Sequence, residues 1–451
     1  MAYNTKELLV MKFGGASLQS SERLLNMGEL LQKYKDQPLV LVVSAMGKTT
    51  NALEYLSEAA VSGSLSTLEN LWQELHNSHY DTVASMIPTE SAAATLAILD
   101  QLFTELRRLL EGLILLGTAP DRVFDRILAM GELMSSAIVA GYLQSLGWPV
   151  QLVDATKLIH TDLQHRNAEV LWHVTGPAIE NEFIPLLNKG YIPLTQGFIG
   201  QGTDGYTTTL GREGSDYTAS MIASALKAKR LVIWKDVPGV MSADPRWLSH
   251  AQVLPSLTYE QAVEMTFYGA TVIHPKTIRP LRNAAIPLQV RSFIQPETEG
   301  TLIHEFSVSN TQPTWQFRFD LVLLKLQPLD LSFIDEQQIQ HILQTVEKMG
   351  LRTYLMQRSS VSFHFCMDFQ KDALQELVSV LREYYQIAEE RELVLVSHMN
   401  PRHEPDVNSI EMKLIQQLQN QKFSLMTRTG FNQWRKLMEL NMPIIIQTCT
   451  S

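Results

Sequence analysis

The chain has 451 residues, 45% of them hydrophobic and 19% charged, with a net charge of −10. That length predicts two or three domains, and the apolar content without long low-complexity or charge runs excludes a disordered chain. The acidic balance argues against a nucleic-acid or anionic-membrane surface while allowing a local basic pocket. The two cysteines, Cys366 and Cys449, are too few for a disulfide framework or a cysteine zinc site, so a reducing cytoplasmic setting is expected.

At the N-terminus, acidic Glu7 precedes the strand-like run 8–13 with no apolar stretch of signal-peptide length before it, and no uncharged run along the chain is long enough to span a bilayer. The run ends in Gly14 and Gly15, and a helix follows over 22–34. The continuous apolar segment 39–43 predicts a strand buried on both faces, ending in a polar loop before another helix. Strand, loop, helix and strand in this order are the grammar of a parallel sheet. Ligands gather at the carboxyl ends of such strands, where Lys12, Gly14, Gly15, Ser44 and Thr50 fall. Gly47-Lys48-Thr49 lacks the upstream glycine of a Walker loop and is not read as one. Residues 66–146 read as helical with a break near 117–120. Inside their apolar segment 127–140 stands Glu132, either a partly exposed helix residue or a ligand contact, because an unpaired carboxylate is costly to bury.

Strands at 150–153 and 192–195 lead to the turn-rich segment 201–206 and then to the stretch 207–219, where the chemistry is placed. A loop feeding the helix over 216–229 exposes backbone N–H groups and a positive dipole end suited to an anion, and Arg212 adds a fixed cation. Ser215 and Asp216 read equally as helix caps or as part of a phosphate site. The apolar strand 231–234 runs into Lys235, Asp236, a Pro238-Gly239 turn, Met241, Asp244 and Arg246; singly, its polar residues read as surface turn. A helix starts from Thr258, His274 before Pro275 reads as a helix-entry residue, and a strand at 288–291 closes this half.

The polar segment 307–313 reads as a linker. Beyond it come a strand at 321–326, a helix at 335–349, strands at 351–356 and 361–367, a helix at 371–385 and a strand at 393–397, the βαββαβ order of a ferredoxin-like unit. From residue 408 a helix, a strand at 423–426, a helix near 431–440 and a strand at 444–447 suggest an incomplete second copy.

The loops, in their order along the chain, closely resemble aspartate kinase. The matching segments are Lys12-Phe-Gly-Gly, Val42-Val-Ser-Ala, Gly131-Glu132, Thr195-Gln-Gly-Phe-Ile-Gly, Thr209-Leu-Gly-Arg-Glu-Gly-Ser-Asp and Asp236-Val-Pro-Gly, with Ala243-Asp-Pro-Arg, Ile273-His-Pro and Gly300-Thr-Leu-Ile. The resemblance implies an α/β amino acid kinase fold, an αβα sandwich with a mainly parallel sheet, over residues 1–306. A ferredoxin-like ACT domain at 314–398 and an incomplete second ACT-like segment at 399–451 would follow. It further implies transfer of the ATP γ-phosphoryl group to the β-carboxylate of L-aspartate, the first step of lysine, threonine and methionine biosynthesis. By the same likeness Lys12 and Asp216 are the catalytic pair, and Ser44, Thr50, Glu132, Phe198, Arg212 and Ser215 take the amino acid. Lys12, Gly14, Gly15, Lys235, Asp236, Met241, Asp244 and Arg246 would face ATP, with Mg²⁺ bridging the phosphates and no dedicated protein cage.

The charge logic agrees: a carboxylate and a triphosphate are both anions, so phosphoryl transfer needs positioning and cations above all. Arg212 can take a substrate carboxylate and Glu132 an α-ammonium. Four positions depart from the common pattern: Ala16 for a hydroxyl residue, Glu213 for a glycine, Met241 for an aromatic and Thr271 for a lysine. ACT pairing suggests a homodimer, and the tail either binds an amino acid effector such as lysine or threonine or only builds the dimer interface. Two alternatives stand beside the kinase: a non-catalytic amino acid sensor on the same fold, and a superfamily member acting on glutamate, N-acetylglutamate or carbamate.

Overall fold

Five consecutive buried residues, Leu9–Phe13 (β1), lie inside an eight-stranded sheet, as expected of a strand covered on both faces. The computed structural model describes residues 7–306, 312–400, 410, 412–418 and 421–450, with the backbone alone at 418 and 441–450. The other strands of the first half are β2 (Leu39–Val43), β3 (Val150–Val153), β4 (His160–Thr161), β5 (Ile192–Gln196), β6 (Ile199–Gly202), β7 (Thr207–Thr209), β8 (Arg230–Lys235), β9 (Ser256–Leu257), β10 (Leu288–Ser292) and β11 (Thr301–Ile303). The sheet order is β3-β5-β2-β1-β8-β10-β11-β9, and among the described residues only β10 and β11 pair antiparallel within it. β4, β6 and β7 form a small separate sheet.

Helices α1 (Ser21–Gln32), α2 (Thr49–Val61), α3 (Leu65–Met86), α4 (Thr89–Leu116), α5 (Asp121–Ser145), α6 (Trp172–Asn188), α7 (Gly214–Ala225), α8 (Tyr259–Phe267) and α9 (Pro275–Asn283) accompany these strands. Side chains alternate across a strand, and β1 uses both directions. Leu9, Met11 and Phe13 enter a core with Leu24, Leu53, Leu102, Met130 and Ile138 from α1, α2, α4 and α5. Lys12 points the other way, to Asp216 on α7. Helices therefore cover both faces, and β1 carries its one charged side chain into the layer where α7 begins.

The expected break near 117–120 is one of two in the long helical region. Ile87 is extended (φ −115°, ψ 123°) because the ring of Pro88 disfavours helix in the residue before it. α6, with Pro177 and Pro185 inside it, was not read from the sequence at all.

A second compact unit gathers residues 241–252, 264–271 and 311–451; the first holds 1–240, 253–263 and 272–310. The second contains β12 (Thr314–Pro328), α10 (Glu336–Lys348), β13 (Thr353–Arg358), β14 (Phe363–Asp368), α11 (Lys371–Leu381), β15 (Tyr385–Met399), β16 (Met412–Leu418), β17 (Gln421–Thr427) and α12 (Arg428–Thr450). Its antiparallel sheet runs β13-β14-β12-β15-β17-β16, so β12 to β15 with α10 and α11 form the expected ferredoxin-like unit. Val322, Leu324 and Leu326 bury one face of β12 against Ile342 and Val346 of α10 and Leu374, Leu377 and Leu381 of α11.

The tail departs from expectation in two places. The helix expected from residue 408 is replaced at 412–418 by β16; residues 401–409 lie outside the described residues, as does most of the 307–313 segment. The strand expected at 444–447 continues α12, which Phe431, Trp434 and Met438 anchor by burial at helical spacing. Among the described residues no helix is long and apolar enough to cross a membrane.

Candidate active site

The ends of β1 and β2, the first turn of α2, one face of α5, the turn after β5 and the start of α7 converge on a cavity of about 700 Å³. Two close approaches make the convergence possible. A Cβ on Gly15 would stand 2.7 Å from the Ala45 carbonyl oxygen, so only glycine lets the β1 loop meet the β2 loop, where the Gly47 N–H donates to the Gly15 carbonyl at 3.0 Å. A Cβ on Gly197 would stand 2.4 Å from Ser215 Cβ, and its absence lets the Phe198 turn press against α7.

Of the residues expected to act, Lys12, Gly15, Ser44, Thr50, Glu132, Phe198, Arg212 and Ser215 line this one cavity. Gly14 lies beneath it and donates its N–H to the Trp234 carbonyl at 3.3 Å. Asp216 is fully buried, with Lys12 Nζ 2.5 Å from Oδ1 and Lys235 Nζ 3.0 Å from Oδ2. Asp236 is exposed at the end of β8. Met241, Asp244 and Arg246 belong to the segment 241–252 of the second unit, where Arg246 grips Asp244 through Nε at 3.0 Å and Nη2 at 2.6 Å. Burial alone would raise the Asp244 carboxyl, but the guanidinium outweighs it and the net shift is downward.

The two buried carboxylates of the site are pushed in opposite directions. Burial opposes ionisation of Asp216, yet Lys12 and Lys235 together hold its carboxyl well below the usual aspartate range. Glu132, 3% exposed, is not the partly exposed helix residue that its sequence position also allowed. Burial pushes its carboxyl up to about 8, against the pull of the Ala45 N–H, which donates to Oε1 at 3.2 Å, and of Lys12. Among the described residues its Oε2 has no hydrogen-bond partner. An orphaned acidic oxygen at a cavity wall suits a cationic ligand group.

Sequence reasoning missed Asp125, which holds one wall of the cavity together. Fully buried on α5, it accepts the Arg166 N–H at 3.0 Å, the Thr209 N–H at 3.1 Å and the Thr209 hydroxyl at 2.8 Å, and it lies 3.0 Å from His165 Nδ1. Thr209 and Arg166 both line the cavity. A signal was present: Asp125 and Glu132 are seven residues apart in an apolar helix, two turns on one face.

Residues 7–292 match the model of the amino acid kinase family. Aspartokinase 3, chloroplastic, of Arabidopsis thaliana is 31% identical over 86% of this chain and 69% of its own length. The chain belongs to the aspartokinases of the amino acid kinase family. Among solved structures, this aspartokinase is similar to Escherichia coli aspartokinase III in complex with aspartate and ADP (25% identity, TM-score 0.82, 97% of this chain and 99% of that one). It is also similar to the same enzyme in complex with lysine and aspartate (26% identity, TM-score 0.77, 96% and 99%).

The four departures from the usual aspartokinase pattern have distinct settings. Ala16 lies in the short turn Gly15–Ser17, Met241 is half-buried and Thr271 is exposed. Glu213 takes the left-handed backbone (φ 57°) that a glycine adopts without strain, and its carboxylate pairs with Lys235 at 3.1 Å.

Proposed function

We propose that this aspartokinase transfers the γ-phosphoryl group of ATP to the β-carboxylate of L-aspartate, giving 4-phospho-L-aspartate and ADP, with the cavity between β1, α5 and α7 as the site. The observation that carries the reading is that one cavity is lined both by Lys12, ion-paired with the buried Asp216, and by a buried Glu132 whose Oε2 has no hydrogen-bond partner among the described residues. Arg212 takes a substrate carboxylate in two parallel hydrogen bonds, and Glu132 takes the α-ammonium, becoming ionised as it does so. Ser44, Thr50 and Ser215 supply hydroxyls around the amino acid, and Phe198 closes one side.

At the phosphate end, Lys12 neutralises charge on the phosphoryl group as it passes between two anions, and Asp216 fixes where that ammonium stands. The backbone around Gly14 and Gly15 and the N-terminal end of α7 favour the phosphates. Lys235 and Asp236 are assigned to the nucleotide. A Mg²⁺ carried on the nucleotide's own phosphates would supply further positive charge beside Lys12 and Lys235.

The relative found with lysine and aspartate supports regulation by an amino acid such as lysine or threonine through the ferredoxin-like region, read as ACT-type. A homodimer, a cytoplasmic location and a place at the first step of lysine, threonine and methionine synthesis complete the proposal. The test is hydroxamate trapping with Mg-ATP and L-aspartate, repeated with L-glutamate and with lysine or threonine added. Product with aspartate alone supports the reading; product with glutamate instead, or with neither, overturns it. Light scattering that shows only monomers with and without effectors would remove the dimer.

A further inference from the structure

Glu213 precedes α7 in a left-handed conformation (φ 57°, ψ 25°) that strains a non-glycine residue, and its side chain caps no backbone N–H of the helix. What this conformation positions is a carboxylate. Glu213 Oε2 lies 3.1 Å from Lys235 Nζ, the same ammonium lies 3.0 Å from Asp216 Oδ2, and it donates to the Val272 carbonyl at 2.5 Å. Lys235 thus donates to Glu213 and Val272 and is paired by charge with Asp216.

The place where this happens favours anions. Glu213 lines the cavity at the N-terminal end of a twelve-residue helix, where aligned peptide dipoles attract negative charge. The charged groups facing Glu213 are Lys235 from β8, Lys12 from β1 and Asp216 from α7. Two lysines against two carboxylates leave this end of the cavity electrically balanced, so an incoming phosphate meets no net positive charge until one carboxylate withdraws. Asp216 is fully buried and held by both lysines, whereas the Glu213 side chain is 26% exposed and held by one. Glu213 is the group able to leave.

We propose that Glu213 is an internal anion that occupies the phosphate end of the cavity in the nucleotide-free chain, holds Lys235 in position, and is displaced from Lys235 by the nucleotide, so that it sets nucleotide affinity. This rests on the kinase reading above. Glu213 is a positioning residue, acting through Lys235. Burial pushes its carboxyl above the usual range, Lys235 pulls it back and Asp216 raises it further. Once Lys235 turns to a phosphate that restraint is gone, and the Glu213 carboxylate withdraws from the ammonium.

The experiment is isothermal titration calorimetry of the full chain with MgADP between pH 7 and 9, on the unaltered protein and on E213Q and E213G. Glutamine keeps the shape without the charge. Glycine fits the left-handed backbone, so a variant that folds is in hand even if glutamine perturbs the turn. The expected result is MgADP binding about tenfold tighter in both variants, the scale of one like-charge repulsion of about 1.4 kcal/mol removed. A defect that merely loosened the fold would not tighten binding. Unchanged or weaker binding in the variants, with the unaltered chain binding normally, overturns the inference alone; no MgADP binding by the unaltered chain overturns the kinase reading and this inference together.

Discussion

The ammonium of Lys12 stands 2.5 Å from Asp216 Oδ1, with the two side chains 7% and 0% exposed. In such a setting each charge depends on the other, because water that could replace a lost partner is excluded. D216N leaves both Lys12 and Lys235 short of a counter-charge, and K12A leaves the phosphoryl group without its cation. Steady-state turnover should fall by about 10²–10³-fold or more in each, with circular dichroism showing a retained fold. Near-normal turnover in either variant would remove the proposed pair. Because the Asp216 carboxyl is depressed, its stabilisation is present above the unfolded value of about 4 and is lost as pH falls toward the folded value, so D216N should flatten the acid limb of a stability profile.

Glu132 works in the reverse direction. Burial pushes its carboxyl up to about 8, so below that pH it is neutral and must lose a proton to meet an α-ammonium. The KM for aspartate should decrease as pH rises from 6 to about 8, and E132Q should raise KM about tenfold or more while losing that slope. A KM independent of pH in this range would disprove the assignment. Stability has the opposite sign: the folded value lies above the unfolded one, so the folded chain pays an increasing penalty between pH of about 4 and 8. E132Q should therefore gain more in melting temperature at pH 8 than at pH 5.

Removing Asp125 leaves the N–H groups of Arg166 and Thr209 without their acceptor, at about 1–3 kcal/mol for the buried Thr209 group. D125A should lower stability in urea unfolding and raise the KM for aspartate more than it lowers kcat, since it loosens a wall and not the phosphate end. An equal loss in kcat with KM untouched would place Asp125 elsewhere in the mechanism.

G197A forces a methyl group to within 2.4 Å of Ser215 Cβ, between two backbones. The strain should appear as about 1–3 kcal/mol of lost stability and as weakened binding of both substrates, because the start of α7 must shift. Unaltered substrate binding by this variant would show that the approach is looser than the geometry indicates.

Which parts of this site were legible in the sequence follows from how far apart the determining residues lie. β1 and β2 announced themselves through unbroken apolar runs, and the helix at α7 through its loop and periodicity. Glu132 was noticed because a carboxylate in an apolar helix is a local contradiction, but its burial depends on Ala45, 87 residues away. The role of Asp125 depends on Thr209, 84 residues away, and no local pattern carries that contact. α6 was hidden by Pro177 and Pro185, and the β-branched run at 444–446 suggested a strand that the helix begun at Arg428 overrode. The split of the chain at residue 240 was invisible for the same reason: Trp247 packs at a tilt against Phe319, 72 residues on, at 4.6 Å.

That split decides how the molecule can be dissected. Trp247 packs against Phe319 and Phe431, and Tyr268 against Phe423, so two stretches from the middle of the chain pack aromatic rings against its last third. A chain cut after residue 306 would keep every residue that lines the cavity at β1, α5 and α7 and yet expose these rings to water. The kinase half is not an excisable module, and expression trials of it should yield aggregates where the whole chain stays in solution.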